Sequence, residues 1–218
     1  MTSSGDRRPI AARELAASTA IAAWLVRREA SPNAISVFGM LAGIAAGLAL
    51  AGTASLPGAA RWLWLLAALL IGLRLAANMF DGMVAIGRGI ASRLGELYNE
   101  VPDRISDTAV LVGLGWAAGS DPLAGFAAAL AAMAAAYIRA VLRVAGAPSD
   151  FGGPMAKQQR MALCIALAIW CGLTPPSWQS IAGHGLALWV LLAIAVLSLW
   201  TALARLLRGA ARLRGTAP

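Results

Sequence analysis

Cysteine and charged residues are scarce in this sequence of 218 residues. The two cysteines, Cys164 and Cys171, lie in apolar sequence, which excludes a disulfide-rich scaffold and argues against a cysteine-based metal site. Charged residues make up 13% of the chain, about half of their share in an average soluble domain. Hydrophobic residues reach 60%, and the mean hydropathy is +0.72. This composition excludes disordered, fibrous and ordinary cytosolic proteins and predicts an integral membrane protein.

Acidic residues are outnumbered: ten stand against 18 basic residues, for a net charge of +8. In a strongly apolar chain, basic residues more often mark loops that stay in the cytoplasm than a nucleic-acid surface, so we expect no nucleic-acid partner. With the N-terminus inside and six crossings, every basic residue except Arg61 and Arg74 lies on or near the inner side. The sequence therefore predicts a multi-pass protein of the inner (plasma) membrane with both termini in the cytoplasm.

Six apolar segments are candidates to cross the bilayer, which takes about 20 apolar residues in a helix. They are residues 34–51, 62–80, 94–118, 123–144, 161–173 and 186–206. The fifth segment is short, and we expect it to extend back through Gln158. The ten-residue alternation of a membrane β-barrel is absent, and alanine and leucine runs favour helix. We therefore predict an all-α bundle of six transmembrane helices.

The chain divides into three parts in this interpretation. Residues 32–208 form the transmembrane domain, residues 1–31 an N-terminal cytoplasmic segment, and residues 209–218 a basic cytoplasmic tail. Residues 9–29 predict a modestly amphipathic helix lying on the inner leaflet. Its apolar run ends in Arg27, Arg28 and Glu29 rather than in a small-residue cleavage site, which argues against a signal peptide.

Glycines recur at four-residue spacing in the first apolar segment, at Gly39, Gly43 and Gly47. This spacing lets a neighbouring helix approach closely. Packing within the bundle explains the stripe, and a homodimer is left open.

Half of the acidic residues fall between positions 81 and 107. They are Asp81, Glu96, Glu100, Asp103 and Asp107. Carboxylates this close to hydrocarbon are costly unless paired, protonated or metal-bound, so they are candidates for function. Helical spacing places Asn78 and Asp81 on one face of the second span, and Asn99, Asp103 and Asp107 on one face of the third. Packed antiparallel, the two spans would form an oxygen-lined cavity suited to Mg²⁺, Mn²⁺ or Ca²⁺. The alternative is a set of interfacial ion pairs with Arg88, Arg93 and Arg104.

The residues from 78 to 103 resemble the signature of the CDP-alcohol phosphotransferases, D-x2-D-G-x2-A-R-x8-G-x3-D-x3-D. The spacing is kept throughout. The matching residues are Asp81, Gly82, Ala85, Gly95 and Asp103. Three positions depart from the signature: Asn78 and Asn99 replace its first and third aspartates, and Ile86 replaces its arginine.

The resemblance implies a phosphotransferase of phospholipid biosynthesis. It implies a donor such as CDP-diacylglycerol, a hydroxyl acceptor and release of CMP. In relatives the aspartates hold two divalent cations, Mg²⁺ or Mn²⁺. The fourth aspartate acts as the general base, and the resemblance therefore implies that Asp103 is the catalytic base here. It also implies a substrate-binding role for Gly82, Ala85 and Gly95, and relatives commonly form dimers.

The two asparagines leave several outcomes open, because an amide oxygen ligates a hard cation but adds no charge. One is an active enzyme whose metal ligands are Asn78, Asp81, Asn99, Asp103 and Glu96, the last restoring charge. A second is an enzyme with one metal ion, and a third is a relative that binds a CDP-alcohol without turning it over. In an alternative register, Asp103 and Asp107 serve as the third and fourth acids.

Basic residues flank the glycine-rich loop 146–154 on the inner side. They are Arg139, Arg143, Lys157 and Arg160. We favour Lys157 and Arg160 as ligands of a substrate phosphate because they lie near the start of a span; contact with anionic lipid is the alternative. A cation-coupled carrier is a further alternative for the acids, although carriers place such groups nearer the midplane.

Overall fold

Helices make up nearly all of the described chain. The computed structural model describes residues 15–90 and 92–215, without the side chains of Arg93 and Glu96. The helices are α1 (Ala16–Arg27), α2 (Pro32–Ser55), α3 (Ala60–Gly87), α4 (Arg93–Gly115), α5 (Pro122–Val144), α6 (Lys157–Leu173) and α7 (Leu186–Leu213). Two short strands, β1 (Ser180–Ile181) and β2 (His184–Gly185), pair antiparallel between α6 and α7. The all-α prediction is confirmed.

Four helical segments are long and apolar enough to cross a membrane. They are α2, α3 with its preceding turn (Pro57–Gly87), α5 and α7. The two other predicted spans form helices α4 and α6, which do not meet this criterion. Helix α6 has 17 residues and is about 26 Å long, shorter than a hydrocarbon core of about 30 Å. Helix α4 carries four of the five clustered acidic residues. Six spans therefore stay a prediction.

The ends of the chain differ in part from the predicted boundaries. Helix α1 begins at Ala16, and the predicted stretch 9–14 lies outside the described residues. Val26 of α1 sits against Gly87 of α3, and the Arg88 guanidinium donates to the carbonyls of Glu29 and Ala30. At the other end, α7 continues to Leu213, so the predicted tail begins as helix.

Side chains at the helix ends explain where α2, α4 and α5 begin. The Ser31, Ser92 and Asp121 side chains accept hydrogen bonds from first-turn backbone N–H groups of the helices that follow. Each bond satisfies a donor that has no partner within the helix. Helix α3 ends in a turn with Gly89 at φ +65°, a conformation that favours glycine. Only residues 88–92 separate α3 from α4.

Helix α2 is the element that brings α3 and α4 together. The predicted contact between α3 and α4 is made at the signature residues, where Asn78 bonds Asn99, but α3 packs chiefly on α2 and α6, and α4 on α2 and α5. The glycine stripe is the reason. A β carbon would lie 2.9 Å from the Ala77 side chain if built at Gly39, and 2.4 Å from that of Ser106 if built at Gly43. At Gly47 it would lie 2.3 Å from an α4 carbonyl. Close packing within the chain thus accounts for the stripe.

Candidate active site

A small cavity opens between α2, α3 and α4 near the short α3–α4 connection. Its polar lining residues are Ser36, Arg74, Asn78, Asp81, Asn99 and Asp103. The structure therefore brings the four signature positions, 78, 81, 99 and 103, into one site, although α3 and α4 are separated along much of their length. Helix α2 adds Ser36, which the sequence analysis missed. Ser36 is the only hydroxyl residue in the apolar stretch 34–52, and this isolation is the signal that could have found it.

Asp81 is held by two hydrogen-bond donors. The Ser36 hydroxyl donates to Oδ2 at 2.6 Å, and the Gly82 backbone N–H donates to Oδ1 at 2.5 Å. The residue is only 3% exposed. Both bonds fix the direction of the carboxylate. Gly82 thus contacts the site through its backbone N–H, which donates to the signature carboxylate.

Asp103 is surrounded by cationic and amide donors. Arg74 Nη2 donates to Oδ1 at 3.1 Å, and Asn78 Nδ2 donates to Oδ2 at 3.1 Å. Lys157 Nζ forms an ion pair with the same Oδ2. Charge-assisted bonds of this kind hold a carboxylate in one orientation.

The two asparagines are bonded to each other across the α3–α4 boundary. Asn78 Nδ2 donates to Asn99 Oδ1 at 2.8 Å, and Asn78 Oδ1 accepts from Lys157 Nζ at 2.7 Å. Because the lysine ammonium can only donate, this contact sets the orientation of the Asn78 amide. Signature positions 78, 99 and 103 thus join Lys157 in one hydrogen-bond network.

Asp107 lies beyond the cavity lining, in an ion-pair network. It pairs with Arg74 and, at 3.4 Å, with Arg160, and it is 3% exposed. Arg160 Nη1 also donates to the Met155 carbonyl at 2.8 Å. The structure thus places Asp107 between two arginines, which does not favour the alternative register. Arg160 is 2% exposed, and its guanidinium bonds Asp107 and the Met155 carbonyl.

Lys157 is placed by the loop that precedes α6, and α7 holds that loop. Arg205 Nε donates to the Gly152 carbonyl at 2.9 Å, and the Thr201 hydroxyl accepts from the Met155 N–H at 3.1 Å. Gly153 has φ +124°, and a β carbon there would lie 2.4 Å from the Thr201 side chain. Lys157 follows as the first residue of α6.

Of the remaining predicted residues, those whose side chains the structure describes do not line the cavity. Ala85 is half-buried near the end of α3, and Gly95 lies in the first turn of α4, where a β carbon would make an ordinary contact, 3.5 Å from the Ser92 hydroxyl oxygen. The side chain of Glu96 lies outside the described residues. Glu100 bridges Arg104 at 3.1 Å and Arg139 at 2.8 Å. For this one acid, the ion-pair alternative describes the contacts observed.

The charges of the site balance among its own side chains. The three carboxylates, Asp81, Asp103 and Asp107, equal in number the three cations, Arg74, Lys157 and Arg160. Asp103 and Asp107 pair with these cations, whereas Asp81 is held by neutral donors. Over residues 15–90 and 92–215, no group of three histidine, cysteine or acidic side chains is placed to hold a metal ion. The hard-oxygen donors that fit one divalent cation are Asp81 and Asp103, aided by the amide oxygens of Asn78 and Asn99. These residues do not supply the charge for two ions.

Comparison with known proteins gives the family of this chain. The family model for CDP-alcohol phosphatidyltransferase matches residues 29–204. The chain belongs to this family. A phosphatidylinositol phosphate synthase from Mycobacteroides abscessus is 30% identical over 192 residues, covering 85% of this chain and 80% of that protein. The resemblance drawn from residues 78–103 is thereby confirmed for most of the chain.

Solved structures show the same fold in other phosphatidyltransferases. Mycobacterium tuberculosis phosphatidylinositol phosphate synthase with CDP-DAG bound gives a TM-score of 0.70 at 24% identity, covering 88% of this chain and 92% of that one. The same enzyme with manganese and citrate gives 0.68 at 24% identity, covering 87% and 88%.

Proposed function

We propose that this CDP-alcohol phosphatidyltransferase transfers a phosphatidyl-type group from CDP-diacylglycerol to the hydroxyl of an alcohol, with release of CMP. The observation that carries the proposal is the joint position of Asp81 and Asp103 in one cavity, at their signature spacing and held by fixed donors. The tuberculosis relative crystallised with CDP-DAG supports the choice of donor.

Asp103 is the base in this proposal. Its carboxylate accepts the proton of the incoming hydroxyl, whose oxygen attacks the phosphorus that carries the diacylglycerol. The bond from that phosphorus to the CMP oxygen breaks, and CMP leaves with the bonding electrons. Arg74 and Lys157 orient the base, and a carboxylate within hydrogen-bond reach is a competent general base.

Asp81 and Asp103, with Asn78 and Asn99, are the residues that would hold a divalent cation, Mg²⁺ or Mn²⁺. When bound, such an ion neutralises charge on the diphosphate. The manganese complex of the tuberculosis enzyme supports this cofactor class. Ser36 and the Gly82 N–H keep Asp81 directed for that role.

Six helices cross the inner membrane in this proposal, with both termini in the cytoplasm. Helices α4 and α6 are the fifth and sixth spans, because both pack against the four apolar helices. Arg61 and the cavity residues lie at opposite ends of α3, as expected if the cavity faces the cytoplasm. The lipid tails of the donor would then stay in the bilayer while a soluble alcohol enters from the cytoplasm.

A non-catalytic relative is the second candidate, and Asn78 and Asn99 favour it because they remove two carboxylates from the signature. The deciding experiment incubates purified protein with CDP-diacylglycerol, Mg²⁺ or Mn²⁺ and a panel of alcohols that includes inositol phosphate. We expect CMP release, and we expect Asp103→Asn to abolish it. Donor binding by a folded wild type without CMP from any alcohol would establish the non-catalytic candidate.

A further inference from the structure

Lys157 is the only lysine in the chain; the other 17 basic residues are arginines. An ammonium group is a compact point charge, whereas a guanidinium is a broad planar fork. The single compact cation stands at the signature residues, with its side chain 13% exposed. This placement resembles that of a bound ion more than that of a surface charge.

The oxygen atoms around Lys157 Nζ come from two signature positions. Asn78 Oδ1 lies 2.7 Å away, and Asp103 Oδ2 forms the ion pair. These positions correspond to the first and fourth aspartates of the signature. The ammonium thus sits between oxygen atoms that would otherwise be available to a metal ion.

The two asparagines fit this arrangement. With aspartate at both 78 and 99, two carboxylates would meet at about the 2.8 Å that now separates the amide groups, with no cation between them. Like charges at that distance repel strongly. The Asn78 amide instead donates one hydrogen to Asn99 and the other to Asp103. The substitutions and the lysine therefore form one self-consistent set.

Arg74 also carries a buried donor without a partner in the described part of the chain. Arg74 lines the cavity and is 1% exposed, and its Nη1 has no hydrogen-bond partner among the described residues. A buried guanidinium nitrogen without a partner is costly, and a phosphate oxygen would satisfy it. With the local charges already balanced, a divalent cation is best accommodated together with an anionic ligand.

We propose that the Lys157 ammonium takes the place of one divalent cation, so that the site binds at most one such ion per chain. The site binds this ion together with a nucleoside diphosphate. This inference rests on the proposed function only for the identity of the ligand. It assigns Lys157 to the part of the site that binds the metal ion and the diphosphate of the CDP-alcohol. From the sequence, Lys157 is expected only to contact a phosphate of one of the substrates.

The test counts Mn²⁺ ions bound to the full-length protein in nanodiscs by electron paramagnetic resonance, with and without CDP. For the wild type we expect one ion per chain with CDP and markedly weaker binding without it. Two ions per chain would overturn the proposal. This count needs no variant, and it is independent of turnover: one ion bound without CMP release refutes the proposed function alone.

Lys157→Met gives the second readout. Removing the ammonium should tighten Mn²⁺ binding in the presence of CDP roughly tenfold, because a positive charge next to the ion is lost. Arg212→Met is the control: it removes a positive charge far along the chain and should leave the affinity near that of the wild type. Unchanged affinity in a folded Lys157→Met protein would overturn the proposal, with size-exclusion profile and thermal midpoint as the folding check.

Discussion

Arg74 connects the cavity to the buried ion pairs behind it, and its replacement by methionine is the sharpest test of how the site is held. The guanidinium bonds Asp103 at 3.1 Å, pairs with Asp107, and donates from Nε to Ser106 at 2.9 Å. Arg74→Met keeps an apolar side chain of similar length in α3 but leaves two buried carboxylates short of positive charge.

The expected cost is about 3–5 kcal/mol, the usual penalty for removing one partner of a buried ion pair. Arg61→Met is the matched control, since Arg61 lies on the same helix and its Nε bonds a neutral carbonyl, that of Gly172, at 2.9 Å. A neutral hydrogen bond contributes about 0.5–1.5 kcal/mol. We therefore expect Arg74→Met to be the more destabilising change by about 2 kcal/mol or more.

Tryptophan fluorescence during thermal unfolding in one detergent measures the difference. For a domain of this size we expect the Arg74→Met midpoint to fall by roughly 10 °C and that of the control by only a few degrees. Adding Asp107→Asn to Arg74→Met should restore part of the loss, because one unpaired carboxylate is removed. Equal midpoints for the two single variants would refute the charge reasoning.

Three further predictions concern other parts of the bundle. Ser36→Ala removes a hydrogen bond to a carboxylate, a contact worth about 1.5–3 kcal/mol. The rate of CMP release should therefore fall at least tenfold while the thermal unfolding midpoint stays near that of the wild type. An unchanged rate would show that Ser36 does not contribute to the site. Gly47→Ala should lower the stability of the protein by about 1–3 kcal/mol, because the added methyl group overpacks against α4. Gly72→Ala should not, because a β carbon at Gly72 has open space around it. Similar unfolding midpoints for the two variants would contradict the packing role of Gly47. Partial burial acts to raise the pKa of Asp150, but hydrogen bonds from Arg208 and a backbone N–H outweigh it and lower the pKa below 3.8. Stability from this pair should therefore be full at neutral pH and be lost as pH falls through the lowered pKa; the same acid dependence of the midpoint in Asp150→Asn would contradict it.

Much of the candidate site could be predicted from local sequence. Asp81 and Asp103 follow from motif spacing, because four-residue steps keep side chains on one helix face. The partners of these two residues could not be predicted. Ser36 lies 45 residues before Asp81, and Lys157 lies 54 residues after Asp103. Contacts at such separations depend on how helices pack, which no local periodicity encodes.

The sequence by itself determined the all-helical architecture, the apolar segments and the family, because hydrophobic length, helix-end residues and motif spacing are local properties. Only the tertiary structure decided what surrounds the signature. The glycine stripe of α2 lets that helix lie against both α3 and α4, and the α7-held loop delivers Lys157 to the asparagines. The balance of charge in the site depends on side chains from three helices, α3, α4 and α6, and their meeting is a consequence of packing.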